Sequence, residues 1–278
     1  MLSIVKSAKL VADFWNQNSD MTPLNRYKEC DMKKIFCFAS AILILTGVFA
    51  APGGEFWDKK PYKEWSQKEC ERLLTKSPWS QEFTPTIVGI MDNSQNKVSS
   101  DGQQPYVKYQ VQFNSAKPIR QATVRQAQIA QNYDGLPPEQ RQEADKRAAA
   151  FLSADLSNAV IVNVTYSTNN RVWDMELARY WQSQTTDLLK NSIYISNTKG
   201  DKIYIARFAA AQGAQRNMQF IFPREVDGKP ILGSQDKSFK LEFAYPANGD
   251  PSRPDIPEGK AFLEFKVDKM IFEGNIAY

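Results

Sequence analysis

The chain has 278 residues, 35 of them basic and 31 acidic, with a net charge of +4 and no histidine. The missing histidine excludes Ser-His-Asp and Cys-His nucleophiles, histidine general bases and histidine-ligated zinc. So small a positive balance gives no strong pull toward nucleic acid.

Residues 1–31 carry Asp13, Asp20, Glu29 and Asp31. They read neither as a transit peptide nor as a domain, and are expected to be an extension from a start placed too far upstream. Residues 32–50 have a different layout. Met32-Lys33-Lys34 is a charged opening, residues 35–49 are an apolar run, and Val48-Phe49-Ala50 brings small or compact residues to a cut before Ala51. That order of charge, grease and small residues is a secretory signal peptide. The run from Ile35 to Ala50 is 16 residues, short of the roughly 20 a bilayer span needs. Cys37 sits too early in it to be an acylated lipoprotein cysteine. The expected location is therefore extracytoplasmic, periplasmic or secreted, with no membrane span in the mature chain.

Four acidic and six basic residues precede Ala51, so the mature chain is closer to neutral than the whole. Its length buries a core without staples. Cys70 is its only cysteine, which excludes an intramolecular disulfide and a thiolate metal cluster. Export without disulfides fits a bacterium. Asn163-Val164-Thr165 matches a glycosylation acceptor but lies within a β-branched run, and is read as chance.

Residues 51–83 form an aromatic-rich lead-in and a first helix. Ser66 and Glu69 have capping-box spacing, with Trp65 and Cys70 placed to close a hydrophobic staple. Leu73 and Leu74 continue the Cys70 face and Pro78 ends the helix, so Cys70 is expected to be a buried packing residue. Residues 84–278 are read as a single α+β domain. Residues 84–91 and 106–113 look like strands joined by a polar link. In the second, Tyr109, Val111 and Phe113 alternate with Lys108, Gln110 and Gln112, predicting one wet face.

Residues 119–133 predict a helix with Pro118 near its first turn and Gly135 beyond its end. Another follows Pro137-Pro138, with Ala144, Ala148, Phe151, Leu152 and Leu156 at helical spacing. Residues 159–166 are nearly continuous in apolar character, as a central strand would be. Asn169 or Asn170 caps a third long helix whose stripe is Trp173, Leu177, Tyr180, Trp181 and Leu188.

From Ile193 the chain turns β-rich. Residues 193–196 and 202–208 suggest a hairpin around Asn197-Thr198-Lys199-Gly200, followed by strands at 218–222 and 239–245. Residues 246–260 are an extended, proline-rich connector. In residues 262–278, Leu263, Phe265 and Val267 share one parity and Met270, Phe272, Ile276 and Tyr278 the other, predicting a bend near Lys269. The fold class expected is α+β: N-terminal helices and strands followed by a predominantly antiparallel β-sheet.

Chemistry is sparse. Ser94–Lys97, Ser196–Lys199 and Ser234–Lys237 match S-x-x-K, but all lie in predicted turns. Asp174 and Glu176 diverge on one helix, and Asp155 could approach Asp174 only through tertiary structure. A carboxylate hydrolase without histidine is thus permitted as an alternative, but not indicated. Asp-Gly steps at Asp101, Asp134 and Asp227 read as turns, not calcium loops. No phosphate-binding glycine loop or G-x-S-x-G occurs, so no catalytic, metal or cofactor residue is assigned and no cofactor is expected.

Lys117, Arg120 and Arg125 are read as a solvated basic helix face rather than a nucleic-acid site. Phe56, Trp57, Tyr62 and Trp79, with Trp65, crowd the mature N-terminus. The first four are the candidate contacts for a partner or ligand, an envelope protein or polysaccharide; the plainer alternative is that they pack the lead-in onto the domain. Alternation ending at Tyr278 also resembles the last strand of an outer-membrane barrel, a second alternative that the intervening helices oppose.

The run Lys60-Pro61-Tyr62, Trp65, Leu73-Leu74, Ser77-Pro78-Trp79, with Ser115-Ala116-Lys117-Pro118-Ile119-Arg120-Gln121-Ala122, resembles uncharacterised secreted proteins of acidobacteria. Some of these are labelled as carrying a GWxTD domain; a Gly-Trp-x-Thr-Asp motif is absent from this chain. The resemblance implies an exported protein and transfers no catalytic residue. With the signal layout it leads to the expectation of a non-enzymatic binding or structural component of the bacterial cell envelope.

Overall fold

The computed structural model describes residues 55–85, 106–211, 213, 215–233, 235–246 and 259–278. The extension, the signal segment, the 92–105 link and most of the proline-rich connector lie outside them.

The lead-in folds from local causes. A short helix α1 (Phe56–Lys59) and a 3-10 turn (Tyr62–Glu64) precede helix α2 (Gln67–Thr75). Ser66 caps α2 with the full capping box: its hydroxyl accepts from the Glu69 N–H, and Glu69 accepts from the Ser66 N–H at 2.8 Å. Trp65 and Cys70 are both buried, as the staple spacing predicts. The chain then enters strand β1 (Ser80–Phe83), earlier than the strand expected over 84–91. Thr84 and Pro85 lie beyond β1, and 86–91 fall outside the described residues.

Strand β2 (Val107–Phe113) pairs with β1 and with β3 (Ala159–Thr168). Between β2 and β3 run helices α3 (Lys117–Ala130) and α4 (Pro138–Leu152), each with proline in its first turn, where a missing N–H costs nothing. Helix α5 (Arg171–Ser183) is capped by Asn170, whose Oδ1 accepts from the N–H groups of Val172 and Trp173. Leu188 does not continue its stripe. The helix ends at Ser183 and a separate short helix α6 (Thr186–Leu189) follows, leaving Leu188 66% exposed and Leu189 buried instead.

Nine strands form two antiparallel sheets. The first has the order β1-β2-β3-β7-β6, with β6 at Arg207–Ala209 and β7 at Asn217–Pro223. The second has the order β11-β10-β4-β5, from β4 (Tyr194–Ser196), β5 (Lys202–Tyr204), β10 (Ser238–Tyr245) and β11 (Gly259–Lys266). The expected strand over 202–208 is split. The Ile205 N–H still bonds Ile193, but the Ala206 N–H bonds Ile221, so the chain changes sheets at that step. At the opposite edge the Gln81 side chain donates to the Glu264 carbonyl, tying β1 to β11.

The two sheets face each other across an aromatic core. Phe113 meets Phe239 at 5.4 Å and Phe265 at 4.9 Å, and Phe220 meets Phe243 at 5.5 Å, mostly edge-on. Such pairs add about 0.5–1.5 kcal/mol each beyond the area they bury. Trp181 of α5 packs on Tyr109, Phe208 and Phe220. On the other face of the first sheet, Ile161 and Ile221 pack with Val124 of α3 and Phe151 of α4. Along β2 that face is wet only in part, as Lys108 and Gln110 are half-exposed whereas Gln112 is buried, donating to the Leu74 carbonyl at the end of α2.

Two small hairpins complete the chain. β8 (Glu225–Val226) and β9 (Lys229–Pro230) flank Asp227-Gly228, both at positive φ as a tight hairpin turn requires. After β11 a 3-10 turn (Val267–Lys269) supplies the bend expected near Lys269. β12 (Ile271–Phe272) and β13 (Asn275–Ile276) follow. Tyr278 is buried, its hydroxyl donating to the Leu232 carbonyl and its ring 4.5 Å from the Arg224 guanidinium. Among the described residues no helix is long and apolar enough to cross a membrane.

Candidate functional site

The aromatic lead-in is built into the main core. Phe56, Trp57, Trp65 and Trp79 come together through edge-on contacts at 5.0–5.6 Å, with Tyr62 at the margin, 6.4 Å from Trp65. Trp57 and Trp79 are buried, and Phe56 and Tyr62 half-buried. The Trp79 indole donates to the Ala277 carbonyl at 2.6 Å, joining the lead-in to the last residues. Arg72 lies within 6 Å of the Phe56 and Trp57 rings and pairs with Glu55 at 2.8 Å. A cleft of about 630 Å³ opens beside this cluster, lined by Glu55, Trp57, Arg72, Lys76, Gln81 and Glu82 among others. Its charges are largely spent on partners: Arg72 on Glu55, and Glu82 on Lys108 at 3.0 Å.

The other chemistry candidates have structural partners. Asp174 grips Arg216 through two bonds of 2.5 and 2.6 Å, Glu176 pairs with Arg179, and Asp155 accepts from the Ser157 N–H. Ser196 reaches Glu242 at 3.4 Å. Burial pushes the Cys70 thiol up to about 12, so it stays protonated and inert at neutral pH. Ser94, Lys97, Asp101 and Ser234 lie outside the described residues. Among the described residues no three His, Cys, Asp or Glu side chains are grouped to hold a metal ion.

Lys117, Arg120 and Arg125 do not make one solvated face. Lys117 pairs with Glu273, Arg125 donates to the Trp65 carbonyl, and Arg120 is buried, donating to the carbonyls of Phe151, Leu152 and Ala154 at the end of α4. A helix C-terminus leaves such carbonyls free, and a guanidinium satisfies several at once.

A surface the sequence did not single out lies on the second sheet. Its inward residues (Ile195, Ile203, Leu241 and Leu263 in one cross-strand row) are buried. The next row points outward. Register sets Phe262 opposite Glu242, Glu242 opposite Tyr194, and Tyr194 opposite Tyr204. With neighbouring strands ~4.8 Å apart, this row is about 14 Å long. Phe262 is 60% exposed and Tyr204 42%, among the few large apolar side chains left so open.

The row is internally organised. The Tyr194 hydroxyl donates to Glu242, whose other oxygen meets Ser196. The Tyr194 and Tyr204 rings are 5.4 Å apart, and the Lys202 ammonium lies 4.3 Å from the Tyr194 ring centroid. The hydrogen bond to Glu242 raises the Tyr194 phenol above its ordinary range, and contact with Tyr194 raises the Lys202 ammonium. Both stay protonated at neutral pH. The following row is Glu264, Lys240, Ser196 and Lys202, with Lys260 and Lys266 at the ends of β11.

One signal for this row was present in the sequence. Tyr194, Tyr204 and Phe262 each flank buried aliphatic residues on the parity otherwise used by lysine, glutamate and serine. Comparison with family models, with curated proteins and with solved structures finds no match to this chain.

Proposed function

We propose that this is an exported, non-enzymatic protein that serves as a binding or structural component of the bacterial cell envelope. The observation that carries the reading is the order Met32-Lys33-Lys34, apolar run, Val48-Phe49-Ala50 ahead of Ala51. The resemblance of residues 60–122 to secreted acidobacterial proteins supports the same location. The chemistry of the described residues favours binding over turnover. Strongly shifted groups mark catalytic clefts in enzymes. Here burial raises Tyr109, Tyr166 and Cys70 inside the core, and the shifted Glu69 sits in a helix cap.

The test is fractionation of a bacterium expressing the full chain, with N-terminal sequencing of the product. The expected outcome is a protein beginning at Ala51 in the periplasmic or secreted fraction. An uncut chain confined to the cytoplasm would overturn the proposal.

A further inference from the structure

The outward face of the second sheet combines two features: aromatic rings set in one cross-strand row, and lysines of which, among the described residues, only Lys202 contacts a ring. Lys202, Lys240, Lys260 and Lys266 are all exposed on it, against Glu242 and Glu264. Both carboxylates are already engaged, Glu242 by Tyr194 and Ser196 and Glu264 by the Ser238 hydroxyl at 2.6 Å. Among the described residues Lys240, Lys260 and Lys266 form no ion pair. The Tyr194, Ser196 and Ser238 hydroxyls are neutral and leave both carboxylates charged, but the four lysines outnumber the two carboxylates, so the face is net positive around its rings.

We infer that this face binds an anionic polysaccharide, with Phe262, Tyr204 and Tyr194 packing against the apolar faces of successive sugar rings and the lysines holding the acid groups. Three features point to that chemistry. The row of about 14 Å accommodates a short run of linked rings rather than one small molecule. Its rings lie at the sheet surface, Tyr194 and Tyr204 on adjacent strands and Phe262 beyond Glu242, so no pocket need open. Glu242, held by Tyr194, keeps lone pairs for sugar hydroxyls, which donate as well as accept. A single-stranded nucleic acid would also meet rings and lysines. The polysaccharide is favoured by the extracytoplasmic location, and to that extent the inference rests on the proposed function.

The experiment is affinity electrophoresis of the purified full chain in gels containing alginate, neutral dextran or no polymer, with oligo(dT) titrated separately. Alginate should retard the protein, increasing salt should release it, and dextran should not retard it. Phe262→Ala should weaken retardation about tenfold, the scale of losing the apolar contact of one partly buried ring. Tyr204→Phe, which keeps the ring, should match the parent. Lys240→Gln with Lys266→Gln should flatten the salt dependence. Phe262 and both lysines are exposed, so these variants should keep the parent's circular dichroism and melting temperature. No retardation by alginate, equal retardation of the parent and Phe262→Ala, or tighter binding of oligo(dT) than of alginate would overturn the inference. Location separates this result from the broader proposal. A chain exported and cut at Ala51 that ignores alginate loses only the binding face, whereas an uncut cytoplasmic chain loses the envelope role.

Discussion

Two aromatic groups in this molecule have opposite fates. Phe56, Trp57, Trp65 and Trp79 are close in sequence and pack edge to edge, and all but Phe56 are buried. Phe262, Tyr194 and Tyr204 are scattered over nearly seventy positions, yet register sets them in one row. Density of rings along a chain therefore measures how much apolar surface must be hidden nearby. Availability to a ligand depends on which side of a strand each ring occupies and on what covers that side. The first group behaves as a clasp. Trp79 binds the Ala277 carbonyl, and Arg72 lies against Phe56 and Trp57, so both ends of the described chain meet over one core.

The sharpest way to break this contrast is Trp79→Ala. The side chain is fully buried and its indole holds a carbonyl near the other end of the described chain. Its loss leaves a cavity and an unpaired Ala277 oxygen. The expected cost is about 3–5 kcal/mol, read as a lower denaturant midpoint with unchanged m-value. A loss below about 1 kcal/mol would mean that the lead-in is only loosely attached.

The cap beneath the clasp gives a smaller, pH-dependent effect. Burial alone would raise the Glu69 carboxyl, but hydrogen bonds from Lys60 and from the Ser66 backbone and hydroxyl outweigh it and hold Glu69 at about 2, against an ordinary 4.5. The folded value is depressed. The linked stability is therefore present above pH 4.5 and is lost as pH falls toward 2. Ser66→Ala should cost about 1 kcal/mol at neutral pH. The gap between parent and variant should narrow across that acid window in melts at matched ionic strength. A gap that does not change with pH would assign the cap's effect to the Ser66 hydroxyl and Glu69 N–H alone.

These cases show why part of the fold was legible in the sequence. Ser66, Glu69, Trp65 and Cys70 act within one helical turn, so their spacing carries the interaction. Asn170 over α5 and Asp227-Gly228 in its hairpin are equally local. Where the reading failed, a distant contact decided the outcome. Gln112 looks wet until α2 offers the Leu74 carbonyl. Residues 202–208 look like one strand until Ile221 captures the Ala206 N–H. Arg120 looks like a surface cation until the end of α4 arrives above it. The row on the second sheet was harder still. Alternation shows that Phe262 opposes Leu263 in direction, but only pairing of β11, β10, β4 and β5 shows that Tyr194 and Tyr204 share its level.

Arg72 tests the rim of the clasp. Its guanidinium is about half exposed, lies 5.8 Å from the Phe56 ring and pairs with Glu55. Exposed contacts of both kinds are worth little, so Arg72→Ala should cost about 0.5–1 kcal/mol in denaturant melts. A loss matching that of Trp79→Ala would show that the arginine, and not ring packing, holds the lead-in.

The smallest effect is expected where the rings are most open. Phe262→Ala removes a side chain that is 60% exposed and has Glu242 as its β10 neighbour in register. Little apolar area returns to water and no buried group loses a partner, so stability should change by no more than about 0.5 kcal/mol. Burial gives Trp79 a large part in folding and gives Phe262 almost none. Phe262 can therefore be removed without disturbing the core, so its loss tests the binding inferred for the lysine-bearing face separately from folding. If Phe262→Ala instead melted the domain as deeply as Trp79→Ala does, the ring would belong to the core, and the contrast between the two groups would collapse.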